Sequence, residues 1–478
     1  MIPRRVGIVG AFVGRKRELL SLDRQLSRVK SAGPDAPGKA VFVRGRRRVG
    51  KSRLIEEFCK QSGCAYVFFA ASKAGPKELE LFAEEIAQSN LPNRSLFAGT
   101  NPSSWDAALR LLASTLDSTS PTVVVFDEFP YLVEEDSGIE GTFQKHWDQL
   151  LSKKPVLLLL VGSDLAMMEA LNTHGRPLYQ RGVDMIVPPL SPVETAAIVG
   201  SATAEDSFDA YLLTGGLPLI CDEWPSGLSM WDYLDAVLDE PTSPFIVSAE
   251  RVLAAEFPAD AQARAVLAQI GAGEVTFTKI ARAAGGLQKA SANRSLELLL
   301  KKRVIAKEKP LSTAPSSDPR YRVADPYLRF WLRFIGPHMA EIERGRGDRV
   351  LERIRGDWMT WRGRAIEPVI REALSRLSPI PGLPAAAEVG GFWTRSNNPE
   401  IDIIGADKGP VAGTIAYAGT IKWRDNQPLT QGDINQLARD VVAVTGANNS
   451  TLLLAVSRSG VTATGVTALG PADLIAAW

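Results

Sequence analysis

The segment Gly45-Arg46-Arg47-Arg48-Val49-Gly50-Lys51-Ser52 constrains this chain more than any other stretch of its sequence. It follows an apolar β-rich run and opens a helical one from Arg53 to Lys60, the context a phosphate-binding loop requires. Its glycines let the backbone wrap phosphate oxygens, so that successive N–H groups and the helix N-terminus face negative charge. Lys51 is placed to reach the β- and γ-phosphates of a nucleotide. Ser52 offers a hydroxyl to Mg²⁺, an ion that keeps most of its waters and needs few protein oxygens. Gly45, Arg46, Arg47, Arg48, Val49, Gly50, Lys51, Ser52 and Arg53 together form the candidate nucleotide-binding segment.

A phosphate loop implies an acid at the C-terminal end of a neighbouring buried strand, and Val123-Val124-Val125-Phe126-Asp127-Glu128 supplies two. Asp127 is the expected Mg²⁺ partner, and Glu128 the group that orients the attacking water. The next apolar run ends in Gly162-Ser163, which puts a hydroxyl beside the same edge to sense the γ-phosphate or place water. Arg181, in Leu178-Tyr179-Gln180-Arg181-Gly182, is a candidate arginine finger, with an ordinary surface arginine as the equal alternative. No Asn-Lys-x-Asp guanine-reading motif occurs, so ATP is the expected nucleotide.

With 478 residues the chain exceeds one ordinary core. Short apolar runs at Ala40–Val43, Tyr66–Phe69, Thr122–Phe126, Val156–Val161 and Asp184–Val187 alternate with helical patterns, which predicts an α/β core with a parallel sheet buried on both faces. A helical segment from Ser191 carries the turn Thr214-Gly215-Gly216-Leu217-Pro218 and reads as a lid. Helices at Ala261–Gly271, Phe277–Ala284 and Lys289–Lys302, then a hairpin from Val304–Lys307 and Arg320–Val323, outline a winged helix-turn-helix, a unit that serves DNA or protein contacts. Beyond the Pro-rich stretch Pro379 to Pro384, a final module reads as strands at 388–394, 400–404 and 413–423, a helix at 431–444 and a strand at 451–456.

A net charge of +1 gives no global pull toward nucleic acid, so polyanion binding would rest on local clusters, at Arg44 and Arg46–Arg48 and along Arg344 to Arg364. Cys59, Cys64 and Cys221 lack metal-ligand spacing and read as reduced thiols. The start is not a signal peptide, and the longest apolar run, Val156 to Val161, is far short of a membrane span, so a cytoplasmic location and no membrane contact are expected.

These motifs resemble the archaeal-type ATPases of the AAA+/STAND lineage that carry a C-terminal DUF234 domain. Phe12-Val13-Gly14-Arg15-Lys16-Arg17-Glu18-Leu19 is similar to the N-terminal signature that packs near the adenine, which implicates Phe12, Val13 and Gly14. Tyr211 to Pro218 resembles the lid motif whose Pro218 approaches the nucleotide, and Tyr321 to Trp331 the segment that opens the C-terminal domain. The resemblance implies a P-loop NTPase core (1–190), a helical lid (191–250), a winged helix (251–325), a helical connector (326–385) and a PD-(D/E)xK restriction-endonuclease-like module (386–478). It places metal-binding acids at Glu367 and Asp402. Where the family pattern has Glu-x-Lys, this chain has Thr420-Ile421-Lys422, and a threonine hydroxyl is a poor substitute for a carboxylate, so a weak or inactive nuclease is expected.

The leading expectation is an ATP-hydrolysing switch that couples nucleotide state to DNA or a protein partner, with oligomerisation open. The alternatives are an ATP-regulated metal-dependent nuclease and a DNA-binding scaffold that binds ATP without turnover.

Overall fold

The computed structural model describes residues 12–31, 38–257 and 261–478. They form two compact units, one ending at Pro189 and one running from Leu190 to Trp478. No helix among the described residues is long and apolar enough to cross a membrane.

The first unit is built on β1 (Lys39–Arg44), β2 (Ala65–Ala70), β3 (Thr122–Asp127), β4 (Val156–Gly162) and β5 (Val183–Ile186), in the order β2-β3-β4-β1-β5. All neighbours are parallel. The contiguous apolar runs of β3 and β4 are buried at every position, as central strands covered on both faces must be. The same expectation fails at β5, where Val183 and Ile186 are 46% and 53% exposed. This strand is outermost and has a neighbour on one side only. Phe69, Phe82, Trp105, Phe126 and Phe143 interlock beside the sheet, with Phe126–Phe143 centroids 4.9 Å apart and edge-on. Such pairs add about 0.5–1.5 kcal/mol each beyond area burial. They anchor the strand that ends in Asp127.

The second unit begins with a capping box, in which Ser191 and Glu194 satisfy each other's backbone N–H at the start of the helix Pro192–Val199. Helices Ala261–Ala272, Phe277–Ala283 and Lys289–Lys301 lead into the antiparallel pair β6 (Ile305–Glu308) and β7 (Arg320–Val323). A 31-residue helix, Gly347–Leu377, follows. At 1.5 Å per residue it is about 46 Å long. The last sheet joins β8 (Glu388–Trp393), β9 (Glu400–Ala406), β10 (Ile415–Lys422), β11 (Leu452–Ser457) and β12 (Thr467–Leu469). Strands β8, β9 and β10 are antiparallel in sequence, while β10, β11 and β12 run parallel.

A buried charge network ties four segments of this unit together. Arg362, 1% exposed, reaches Asp209 at 3.1 Å and Asp425 at 2.9 Å. Arg458 completes the square at 2.9 Å from Asp209 and 2.8 Å from Asp425. Burial pushes Asp209 up to about 6 even against both guanidiniums. The arginine-rich stretch that suggested a polyanion surface is thus neutralised in part from within, since Arg346 pairs with Asp348 and Arg353 with Glu341 as well. Arg44 of the first cluster is likewise buried, beside Glu169 and Asp184.

Candidate functional site

The phosphate loop leaves β1 at Arg44 and enters the helix Lys51–Gln61. Gly45 is required by a close approach: a Cβ there would lie 2.5 Å from the Val187 carbonyl oxygen. Gly50 holds φ +84°, a conformation that costs an L side chain strain. Val49 is fully buried and pins the loop to the core. Lys51 is nearly buried, and its Nζ donates to the carbonyls of Gly45 at 2.9 Å and Arg46 at 3.0 Å. Burial lowers its pKa, while Glu128 and Asp127 act in the opposite sense. Arg46, Arg48 and Arg53 are half-buried around the loop, and exposed Arg47 leans 3.4 Å from the Tyr131 hydroxyl.

At the end of β3, one strand removed across β4, the two acids have separate tasks built into their bonding. Asp127 Oδ2 accepts from the Ser52 hydroxyl at 2.6 Å, and Oδ1 accepts from the Glu128 N–H at 3.0 Å. Burial raises the Asp127 pKa, opposed by that serine bond. Glu128 adopts φ +53°, a left-handed backbone uncommon for a residue with a side chain and a form of strain that collects at functional sites. Its Oε2 accepts from the Ser163 hydroxyl at 2.9 Å and from the Ser163 N–H at 3.3 Å. Gly162, just before, packs against Pro130 and Met168 so tightly that a Cβ would lie 2.6 Å from both. The structure therefore brings Lys51, Ser52, Asp127, Glu128 and Ser163 to one edge of the sheet. The oxygens of Ser52 and Asp127, 2.6 Å apart, would suit Mg²⁺, an ion that needs few protein oxygens.

Five other expected residues are placed differently. Arg181 precedes β5, whose Val183 lies level with Val41, so it stands at the end of the sheet opposite the loop. Six residues of strand, about 20 Å, separate the two levels. Its guanidinium is held by Asp148 at 2.8 and 2.7 Å. As a finger for its own loop this arginine is ruled out, because parallel strands put residues before β5 and after β1 at opposite ends. Phe12, Val13 and Gly14 are half-buried, Gly14 with φ +76°. The next residue, Arg15, is the one that touches the site: it donates to the Val49 and Pro188 carbonyls at 2.6 Å each, clamping the loop to the exit of β5. Only its place in that short motif marked it in the sequence. Pro218 lies in the second unit, at the first position of the helix Pro218–Cys221.

The acids of the C-terminal module meet, but not around a metal site. Arg371 sits one turn beyond Glu367 on the long helix. It reaches Glu367 Oε2 at 3.1 Å, Glu308 at 3.3 Å and the Asp402 backbone carbonyl at 2.8 Å. Asp402 Oδ2 is already taken by the Thr420 hydroxyl at 3.0 Å and the Ile421 N–H at 2.8 Å. Burial pushes Glu367 up to about 7, with Arg371 opposing and Asp402 adding to the rise. A donor set with a guanidinium in its midst and one carboxylate oxygen doubly engaged does not fit a divalent cation. Lys422, at the end of β10, is half-buried.

The parallel sheet, the loop after β1 and the acids after β3 define a P-loop NTPase-type α/β core. Residues 331–436 carry a DUF234 domain, a family described as archaeal and bacterial proteins of unknown function. An uncharacterized protein of Methanocaldococcus jannaschii is 24% identical over 434 residues, covering 90% of this chain and 91% of its own. Among solved structures, a Walker-type ATPase of Pyrococcus abyssi is similar over 67% of this chain and 96% of its own, with 19% identity and a TM-score of 0.48. The ORC2 protein of Aeropyrum pernix, in ADPNP and ADP complexes, is similar over 73% and 98%, with 13% identity and a TM-score of 0.45.

Proposed function

We propose that this chain is an ATP-binding and ATP-hydrolysing switch of the AAA+/STAND type. The observation that carries the reading is the bonding of the acid pair: Asp127 is committed to Ser52 and Glu128 to Ser163, at the edge where the phosphate loop ends. Mg²⁺, when held by Ser52 and Asp127, supplies positive charge to the phosphate oxygens. Lys51 exchanges its two loop carbonyls for the phosphates. Glu128 keeps Oε2 on Ser163, and its Oε1 has no hydrogen-bond donor among the described residues, so it is the oxygen that can accept a proton from water. Base assistance of this kind is worth about 10²–10⁴-fold in rate.

The partner side of the switch rests on the three helices and hairpin of the second unit, read as a winged helix. The helix Lys289–Lys301 exposes Lys289, Asn293, Arg294 and Lys301 against one acid, Glu297. Arginine and asparagine are the side chains that read guanine and adenine edges, which favours DNA over a protein partner. A nuclease reading is disfavoured by Arg371.

The test is phosphate release alongside nucleotide binding. Lys51→Ala is expected to lose both. Glu128→Gln is expected to bind ATP and lose turnover. Unchanged phosphate release in both purified variants would sink the assignment, while binding without turnover in the parent would leave a nucleotide-gated scaffold.

A further inference from the structure

Away from the phosphate loop, four arginines converge on a cleft of about 180 Å³ inside the second unit: Arg322 from β7, Arg329 and Arg333 from the segment after it, and Arg364 from the long helix. The only acid lining the cleft is Asp357, and it is already paired with Arg333 at 2.7 Å. Arg322 gives its Nε to Glu308. The side chains of Arg329 and Arg364 have no hydrogen bond or ion pair among the described residues; Arg364 is exposed and Arg329 half-buried. A second observation is independent of the charges. The indole N–H of Trp361, whose ring lines the same cleft, is buried without an acceptor. Guanidinium and indole groups only donate, so charged donors outnumber the one carboxylate on this wall, which is committed to Arg333.

Guanidiniums crowded into one partly enclosed cleft repel one another, and proteins usually offset this by placing a carboxylate alongside each. Here the carboxylates that act on Arg329 are Glu308 and Glu367, and both are already engaged by Arg371. Burial, with Arg322 and Arg364 acting in the same sense, draws the Arg329 guanidinium down to about 10. It therefore remains charged at neutral pH.

The geometry points to this cleft as a binding site for a phosphate-type oxyanion, taken either as a free anion or as a phosphodiester of nucleic acid, with Arg329 and Arg364 as its principal donors. A tetrahedral oxyanion supplies several acceptors in a small volume, and planar guanidiniums bind it bidentately. The site does not depend on the nucleotide reading of the phosphate loop, since it shares no residue with it.

The experiment uses the full chain in a Lys51→Ala background, which takes the phosphate loop out of the measurement. Inorganic pyrophosphate is titrated calorimetrically and compared with sodium chloride at equal ionic strength. A short labelled DNA duplex is titrated over a range of salt. Pyrophosphate is expected to bind, and Arg364→Gln and Arg329→Gln each to weaken it about tenfold, as loss of a charge-assisted hydrogen bond does. If duplex affinity falls in the same variants and its salt dependence drops by about one ion per arginine, the occupant is a backbone phosphate. If the duplex is unaffected while pyrophosphate binding is lost, the occupant is a free oxyanion. Pyrophosphate that binds no better than chloride, or binds equally well in both variants, overturns the site. Arg364 is exposed, so Arg364→Gln decides the matter should Arg329→Gln fail to fold. Nucleotide binding by the parent chain, measured separately, tests the phosphate loop, so the two readings fail independently.

Discussion

Replacing Arg362 by methionine removes the charge at the centre of the buried network while keeping the stem that packs near the Trp358 ring. Asp209 then keeps only Arg458, 2.9 Å away, inside a wall that leaves its side chain 8% exposed. Asp425, 43% exposed, rehydrates at little cost. Breaking a buried pair from one side costs about 3–5 kcal/mol, and the surviving Arg458 places this case at the low end, about 3 kcal/mol. For a unit of this size about 2–4 °C is lost per kcal/mol, so a drop of roughly 6–12 °C is expected. Scanning calorimetry near neutral pH measures it, following the transition of the second unit. The companion double variant, Arg362→Met with Asp209→Asn, leaves a balanced Arg458–Asp425 pair and is expected to be less destabilised than the sum of the singles. A single variant within about 2 °C of the parent, or singles that simply add, would show that the network contributes nothing as a unit.

Ser163→Ala should loosen Glu128, leaving it the longer bond from the Ser163 N–H, and lower turnover by about tenfold at unchanged ATP affinity, since one hydrogen bond to a carboxylate is at stake; an effect confined to affinity contradicts the role given to Ser163. Arg181→Gln should leave turnover of dilute protein unchanged, and a defect appearing only as concentration rises would place this arginine on a neighbouring copy's loop. Glu367 carries the pH prediction. Its folded pKa of about 7 lies above an unfolded value near 4.3, so the fold favours the protonated form, and the stability it contributes is present at low pH and lost as pH rises through about 7. Glu367→Gln should therefore gain stability relative to the parent between about pH 4 and 7, and a constant difference across that window would refute the shift. Chelation of divalent ions should leave the melting of the second unit unchanged; a destabilised chain in EDTA would contradict the role given to Arg371.

The parts legible in the sequence are those whose cause is local. Contiguous apolar runs marked the five strands of the first sheet, and a glycine-rich loop between strand and helix marked the phosphate site. Strand β12 escaped because Thr467-Ala468-Leu469 is too short to show a period. Arg371 lay within reading distance, four residues after Glu367 on one helix face, yet its bond to the Asp402 carbonyl joins positions 31 apart. The Asp209 network spans separations of 153 and 249 residues, for which no local pattern exists. Arg181 was readable only as an arginine in a short polar stretch, a candidate finger or an ordinary surface residue. The parallel register, which sequence does not state, puts it at the far end.

The guanidinium of Arg371 stands among acids that, without it, could share an exchangeable ion. A tethered cation has no dissociation constant. Its occupancy is complete at any ion concentration, no chelator strips it, and no rival metal displaces it. The module's response to divalent ions is therefore set when the chain is synthesised, and what its surroundings can still change is the proton on Glu367.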